Sequence, residues 1–298
     1  MDNQNIQDDD IIPLYIYNNI SNTTSDTISN IISNTTFNIS IWTVLFVLYQ
    51  IVYFIVCGIL FKYLISYITH FLENKVQKKF IIVDGLIGAG KTTLIKLLAM
   101  NMNACGYRTK AILEPVDVWK QTGALEMFYS DIPKHCYEFQ TFTLITRIQR
   151  LLQKINMNDK TEYYLIERSP MTDKYVFVEM MKDIMGPIRM KMYNTWWKMW
   201  SSMIPFKPSL YIYLDTNIDD ATNRLVERAR SGEIVSNEYQ TQLQKQHHNF
   251  YNNVLEKRYN YNNLVINEEL MAPDYRNNYR HNNINVIREM IFSKLNSI

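Results

Sequence analysis

The chain has 298 residues, 31 basic and 29 acidic side chains and a formal net charge of +2, so one large core or two smaller ones can form. The near-balance of charge excludes a dedicated nucleic-acid binder, which carries a strongly basic face. Three widely separated cysteines, Cys57, Cys105 and Cys136, fit neither a disulfide framework nor a zinc spacing, which favours a reducing compartment for the bulk of the chain.

Residues 1–40 are polar, rich in Asn, Ser and Thr, and acidic where charged; they are read as a disordered tail. The next stretch, 41–61, is "IWTVLFVLYQIVYFIVCGILF". As a helix rising about 1.5 Å per residue it reaches roughly 30 Å, enough to cross a bilayer. Lys62, Lys75, Lys78 and Lys79 follow this run and no Lys or Arg precedes it, so the C-terminal part is placed on the cytosolic side. Sequons at Asn19, Asn22, Asn34 and Asn38 suit an exterior, glycosylated tail, although an Asn-rich segment generates such matches by chance. The first arginine is Arg108, which argues against a mitochondrial presequence. Residues 62–77 form a juxtamembrane linker with helical character.

From residue 78 to 298, short β-rich runs alternate with helical stretches. Strands are predicted at Phe80–Asp84, Thr109–Leu113, Tyr163–Ile166, Leu210–Leu214 and Leu264–Ile266. Strands spaced by helices predict an α/β domain with a five-stranded parallel sheet flanked by helices.

Between the first strand and its helix lies "GLIGAGKTT", Gly85, Leu86, Ile87, Gly88, Ala89, Gly90, Lys91, Thr92 and Thr93. This is a G-x-x-x-x-G-K-[ST] loop in its required context. Glycines let successive backbone N–H groups curl around phosphates, and the helix N-terminus adds partial positive charge. Lys91 would bridge the β- and γ-phosphates of a nucleotide and Thr92 would hold Mg²⁺.

Three later stretches bear on the acceptor. "LEPVDVW" puts Glu114 at the C-terminal edge of a strand, where a carboxylate can take a proton from an attacking hydroxyl; a surface turn before Pro115 is the plain alternative. In "LIERSPMTDKYVF", Glu167 could orient Mg²⁺ through water and Arg168 could neutralise phosphoryl charge, against a simple ion pair. "NRLVERARSGE" gathers Arg224, Arg228 and Arg230, which suits a lid over phosphates or a solvated basic face. "YNTWWKMW", residues 193–200, reads as core or subunit-interface packing. His247 and His248 are adjacent and make a poor metal pair.

Taken in order, the loop, "EPVDVW", "YSDIPKHCYEFQTFTLITR", "ERSPMTDKYVF" and "RARSGE" resemble the deoxynucleoside kinase family from about residue 78 to the C-terminus. The resemblance implies a P-loop kinase fold with an arginine-rich lid, and Glu114 as general base on a nucleoside 5′-hydroxyl. It also implies Trp119 lining the base pocket, Gln140 pairing with the base edge and Phe177 stacking on it. Tyr129 and Glu233 would touch the sugar 3′-hydroxyl. Arg168 would contact the 5′-oxygen and phosphate, and Arg224, Arg228 and Arg230 would close over ATP. Arg147 and Asp173 match the pair of deoxycytidine- and purine-preferring members, which favours deoxyguanosine, deoxyadenosine or deoxycytidine over thymidine. A homodimer acting in nucleotide salvage is implied too. The lid is shorter after Glu233 than in animal members, and the membrane span departs from the family pattern. A nucleoside monophosphate kinase is the neighbouring alternative, disfavoured by Leu113 where such enzymes often place an arginine. A non-catalytic kinase-fold subunit of a membrane complex is the other.

Overall fold

The computed structural model describes residues 14–73, 77–228, 233, 235–267, 270 and 279–297. They fall into two compact units, Met1–Asn74 and Lys75–Ile298. The first unit is one helix, α1, Leu14–Glu73. Its Ile41–Ile68 portion is long and apolar enough, by length and composition, to cross a membrane. Residues 14–40, expected to belong to a disordered tail, lie in this helix. Polar Asn, Ser and Thr are weak helix formers. Once the apolar segment has paid the nucleation cost, however, each added residue gains a hydrogen bond at little further expense. Residues 1–13 lie outside the described residues, as do the side chains of the sequon asparagines.

The second unit is an all-parallel five-stranded sheet of order β2-β3-β1-β4-β5. Its strands are β1 (Lys79–Gly85), β2 (Thr109–Ile112), β3 (Tyr163–Glu167), β4 (Leu210–Asp215) and β5 (Asn263–Asn267). The central strands are near-continuous apolar runs because helices cover both faces. Ile81, Ile82, Val83, Leu165 and Ile212 are fully buried, and burying each such side chain contributes about 1.5–3 kcal/mol before entropy is counted. Helix α2 (Lys91–Ala104) packs on β1, β2 and β3. The C-terminal helix α10 (Tyr279–Asn296) packs against α2 and β5.

A second apolar cluster joins α3 (Val116–Gln121), α4 (Ala124–Ser130), α5 (Ile132–Lys154) and α7 (Glu179–Ser201). Phe128 and Phe139 stack within it at 4.5 Å. A short helix α6 (Pro170–Thr172) opens with Ser169 and Thr172 capping each other. It continues through a π-helical turn, Asp173–Val178, into α7. That widened turn sets Asp173 and Phe177 beside the cleft, the kind of place where such irregular helix is found. In the aromatic stretch, Tyr193 is fully buried while Trp196 is 39% exposed. Helices α8 (Ile218–Arg228) and α9 (Asn237–Asn249) then lead to a second π-helical turn, Phe250–Glu256.

Candidate active site

A cavity of about 720 Å³ opens at the C-terminal edge of the sheet, within the size range of small-molecule sites. Its lining includes Gly88, Gly90, Lys91, Thr92 and Thr93 of the loop, together with Glu114. Trp119, Tyr129, Gln140, Arg147, Glu167 and Arg168 also face it. So do Asp173, Phe177, Arg224, Arg228 and Glu233. Residues that look unrelated in sequence thus share one wall. Of the expected site residues, Arg230 lies outside the described residues, while Gly85, Leu86 and Ala89 are buried in or behind the loop.

The loop joins β1 to α2. Gly88 takes φ +90°, and a Cβ there would stand 2.1 Å from the Ala221 carbonyl oxygen, so no side chain fits without moving α8. The loop carbonyls are tied back. Lys91 Nζ donates to Leu86 O at 2.7 Å and to Gly85 O at 3.2 Å, and Arg168 Nη2 donates to Gly85 O at 3.0 Å. Burial, with the Arg168 charge adding to it, pulls the Lys91 ammonium down to about 7.

Next to the loop, Thr92 Oγ1 donates to Glu167 Oε1 and Oε2 at 2.8 and 2.9 Å. A hydroxyl and a carboxylate within reach of the loop fit Mg²⁺, a hard cation that takes few protein oxygens and completes its shell with water and phosphate.

Four charged side chains interlock on the opposite wall. Arg147 meets Asp173 bidentately, Nε to Oδ2 at 2.7 Å and Nη2 to Oδ1 at 3.0 Å. The same Nη2 donates to Glu114 Oε1 at 2.9 Å, and Nη1 reaches the Glu167 carbonyl at 3.1 Å. Arg168 Nη1 donates to both Glu114 oxygens, at 3.0 and 3.1 Å. Burial pushes the Glu114 carboxyl up, but the Arg168 and Arg147 charges outweigh it and hold it well below the usual carboxylate range. Arg168 adopts φ 58°, a left-handed conformation that costs a non-glycine residue on the order of 1 kcal/mol. Its guanidinium lies over the Phe177 ring at 4.8 Å, and its buried Nε–H has no partner among the described residues. A buried donor of this kind facing a cleft suits an anionic or hydroxyl oxygen.

Toward the other end, Gln140 is 2% exposed, and among the described residues its amide nitrogen has a long contact to Met181 Sδ at 3.7 Å as its one hydrogen-bond partner. Trp119 is fixed by its Nε1–H bond to Thr146 Oγ1 at 2.9 Å. Arg228 and Glu233 form an ion pair. The arrangement can therefore hold phosphates at one end, accept a proton from a hydroxyl at its centre and grip a planar polar ring at the other.

Some features had no motif. Asp84 accepts from Thr172 Oγ1 at 3.0 Å and from the Tyr251 hydroxyl at 3.3 Å. Burial raises its carboxyl to about 6 against the pull of Arg168. Arg150 donates to the Glu114 carbonyl at 3.1 Å; its spacing of three from Arg147 on one helix face was the available signal. His247 is fully buried against Tyr213 and Phe177, and burial holds its imidazole well below the usual range, so it packs as a neutral ring.

Comparison with known proteins identifies the surroundings of this cavity. The chain is 31% identical over 172 residues to a probable deoxycytidine kinase of fowlpox virus, covering 57% of this chain and 70% of that protein. It is 30% identical over 188 residues to a deoxyadenosine kinase of Dictyostelium discoideum, with 59% and 69% covered. It is 28% identical over 184 residues to a deoxyadenosine/deoxycytidine kinase of Bacillus subtilis, with 60% and 79% covered. The deoxynucleoside kinase family model matches residues 81–290, the span that carries the sheet, the loop and every charged group of the cavity, and the chain belongs to that family.

Proposed function

We propose that this chain transfers the γ-phosphoryl group of ATP to the 5′-hydroxyl of a deoxynucleoside, with deoxyguanosine, deoxyadenosine or deoxycytidine preferred to thymidine. The observation that carries this reading is the Glu114–Arg147–Asp173–Arg168 network, set in one cavity with the phosphate loop. Glu114 is ionised at any working pH and stands where the 5′-hydroxyl would enter. A loose phosphoryl-transfer transition state asks little basicity of it, chiefly orientation and a late proton acceptance. Arg168, through its free Nε–H and its contact with Glu114, would hold the 5′-oxygen and the transferring group. Bound at Thr92 and Glu167, Mg²⁺ would neutralise charge on the phosphate oxygens. Loop N–H groups and Lys91 would bind the β- and γ-phosphates, while Arg224 and Arg228, with Arg230 beyond them, would close over ATP.

Gln140, Trp119 and Phe177 would hold the base. The Arg147–Asp173 pair beside it offers donors and acceptors to amino and oxo substituents and leaves little room for a thymine methyl. Tyr129 and Glu233 would take the sugar 3′-hydroxyl. Salvage of deoxynucleosides, a homodimer through the aromatic helix, and anchorage to a membrane by Ile41–Ile68 with the kinase on the cytosolic face complete the proposal. Phosphorylation by ATP and Mg²⁺ is to be measured across the four deoxynucleosides and their monophosphates. Thymidine turnover above the other three would overturn the base preference, and exclusive use of a monophosphate would overturn the acceptor.

A further inference from the structure

Three consecutive carbonyls of the phosphate loop are held from behind. Gly85 O accepts from Arg168 and Lys91, Leu86 O from Lys91 and the Ala89 N–H, and Ile87 O from Gln240 Nε2 at 2.6 Å. Turning carbonyls away leaves the loop's N–H groups free to face an anion. Of the three side chains among these tethers, two are cations that a phosphate would itself attract. The third, Gln240, is neutral and does not compete for the ligand.

Gln240 sits in the first turn of α9, fully buried, with Ser236 capping the helix by accepting from Tyr239 N at 3.2 Å. Its neighbour Tyr239 lines the cavity. The other half of its amide, Oε1, is buried without a partner among the described residues. A half-satisfied buried amide is a poor choice for stability alone, because an apolar side chain of similar size would avoid the desolvation cost. Its place is better explained by what it holds than by what it stabilises.

We propose that Gln240 is a positioning residue of the donor site, its side-chain amide fixing the Ile87 carbonyl and with it the curl of the loop that receives the phosphates. This rests on the donor-site assignment made above.

The test uses the full chain with Gln240→Leu and Gln240→Glu, reading the ATP dissociation constant by calorimetry and KM for both substrates. In Gln240→Leu the ATP dissociation constant and KM are expected to rise about tenfold, as for loss of one buried hydrogen bond, with the deoxynucleoside KM within about twofold. In Gln240→Glu the carboxyl donates only while protonated. The ratio of ATP affinity to wild type should therefore approach one at acidic pH and fall as pH rises through the burial-raised pKa of the new acid, whereas in Gln240→Leu, which shares the wild-type titration of Lys91, that ratio stays constant with pH. Unchanged ATP affinity in Gln240→Leu, whether or not the melting temperature falls, overturns the proposal. So does an equal rise in both KM values. If the wild-type chain binds no ATP, the donor-site assignment fails first and this inference with it.

Discussion

The two walls of the cavity treat buried charge in opposite ways. On the proposed acceptor wall, Glu114, Arg147, Asp173 and Arg168 pair with one another through bonds of 2.7 to 3.1 Å. On the proposed donor wall, Lys91 donates to two backbone carbonyls and to no carboxylate among the described residues, and burial lowers its ammonium to about 7. Paired charges survive burial because Coulomb attraction offsets desolvation; the Lys91 ammonium touches carbonyl dipoles, and the charges of Glu167, Glu114 and Asp84 do not offset its burial. The acceptor wall thus balances its charges by direct contact, whereas Lys91 touches no carboxylate among the described residues.

That contrast can be broken most forcefully at its centre. Glu114→Gln should lower kcat by a factor on the order of 10²–10⁴ while leaving ATP affinity within about twofold, measured by steady-state kinetics and calorimetry. Next, Asp173→Ala removes the bidentate partner of Arg147, leaving its buried Nε–H unpaired and Glu114 as its carboxylate contact, and should destabilise the fold by about 3–5 kcal/mol in urea unfolding. An apolar replacement of both members, Arg147→Met with Asp173→Leu, should cost distinctly less. On the donor wall, ATP should draw a proton onto Lys91. At about pH 8 binding is expected to take up a large fraction of one proton, and at about pH 6 almost none, read from calorimetry in buffers of different ionisation enthalpy. Uptake that persists in Lys91→Met would assign the proton elsewhere.

The smallest effect concerns Asp84. Its carboxyl rises on folding from 3.8 to about 6. Between those values the folded chain therefore binds the proton more tightly than the unfolded one, and stability falls as pH rises through the window. Asp84→Asn removes the ionising group. Its stability relative to wild type should improve from about pH 4 to about pH 7, by up to roughly 3 kcal/mol.

Much of this was legible in the residues. The five predicted strands lie within a residue or two of those observed, because each is an apolar run between turn residues and helical stretches. The phosphate loop announced itself by glycines in a glycine-poor chain, and the Arg147–Asp173 pair came from resemblance. What stayed hidden has a common cause. The Gln240–Ile87 bond joins residues 153 apart, the Arg147–Glu114 bond residues 33 apart, and Asp84 meets Thr172 across 88. No local pattern encodes a contact that exists only after the sheet is wound. Residues 14–40 are the opposite case: local composition spoke for disorder, while they lie in one helix with a long apolar segment.

The shared Nη2 of Arg147 has a consequence for how such an enzyme can change over generations. On the proposed assignment, one nitrogen serves both the group that reads the base and the group that receives the proton. A lineage seeking a new nucleoside by altering Arg147 or Asp173 would disturb its turnover in the same step. Gln140, whose amide contacts neither Glu114 nor Arg168, offers a freer route. Drift in preference, and escape from nucleoside analogues, should therefore accumulate around Gln140 and the α5–α7 apolar cluster before it touches the charged network.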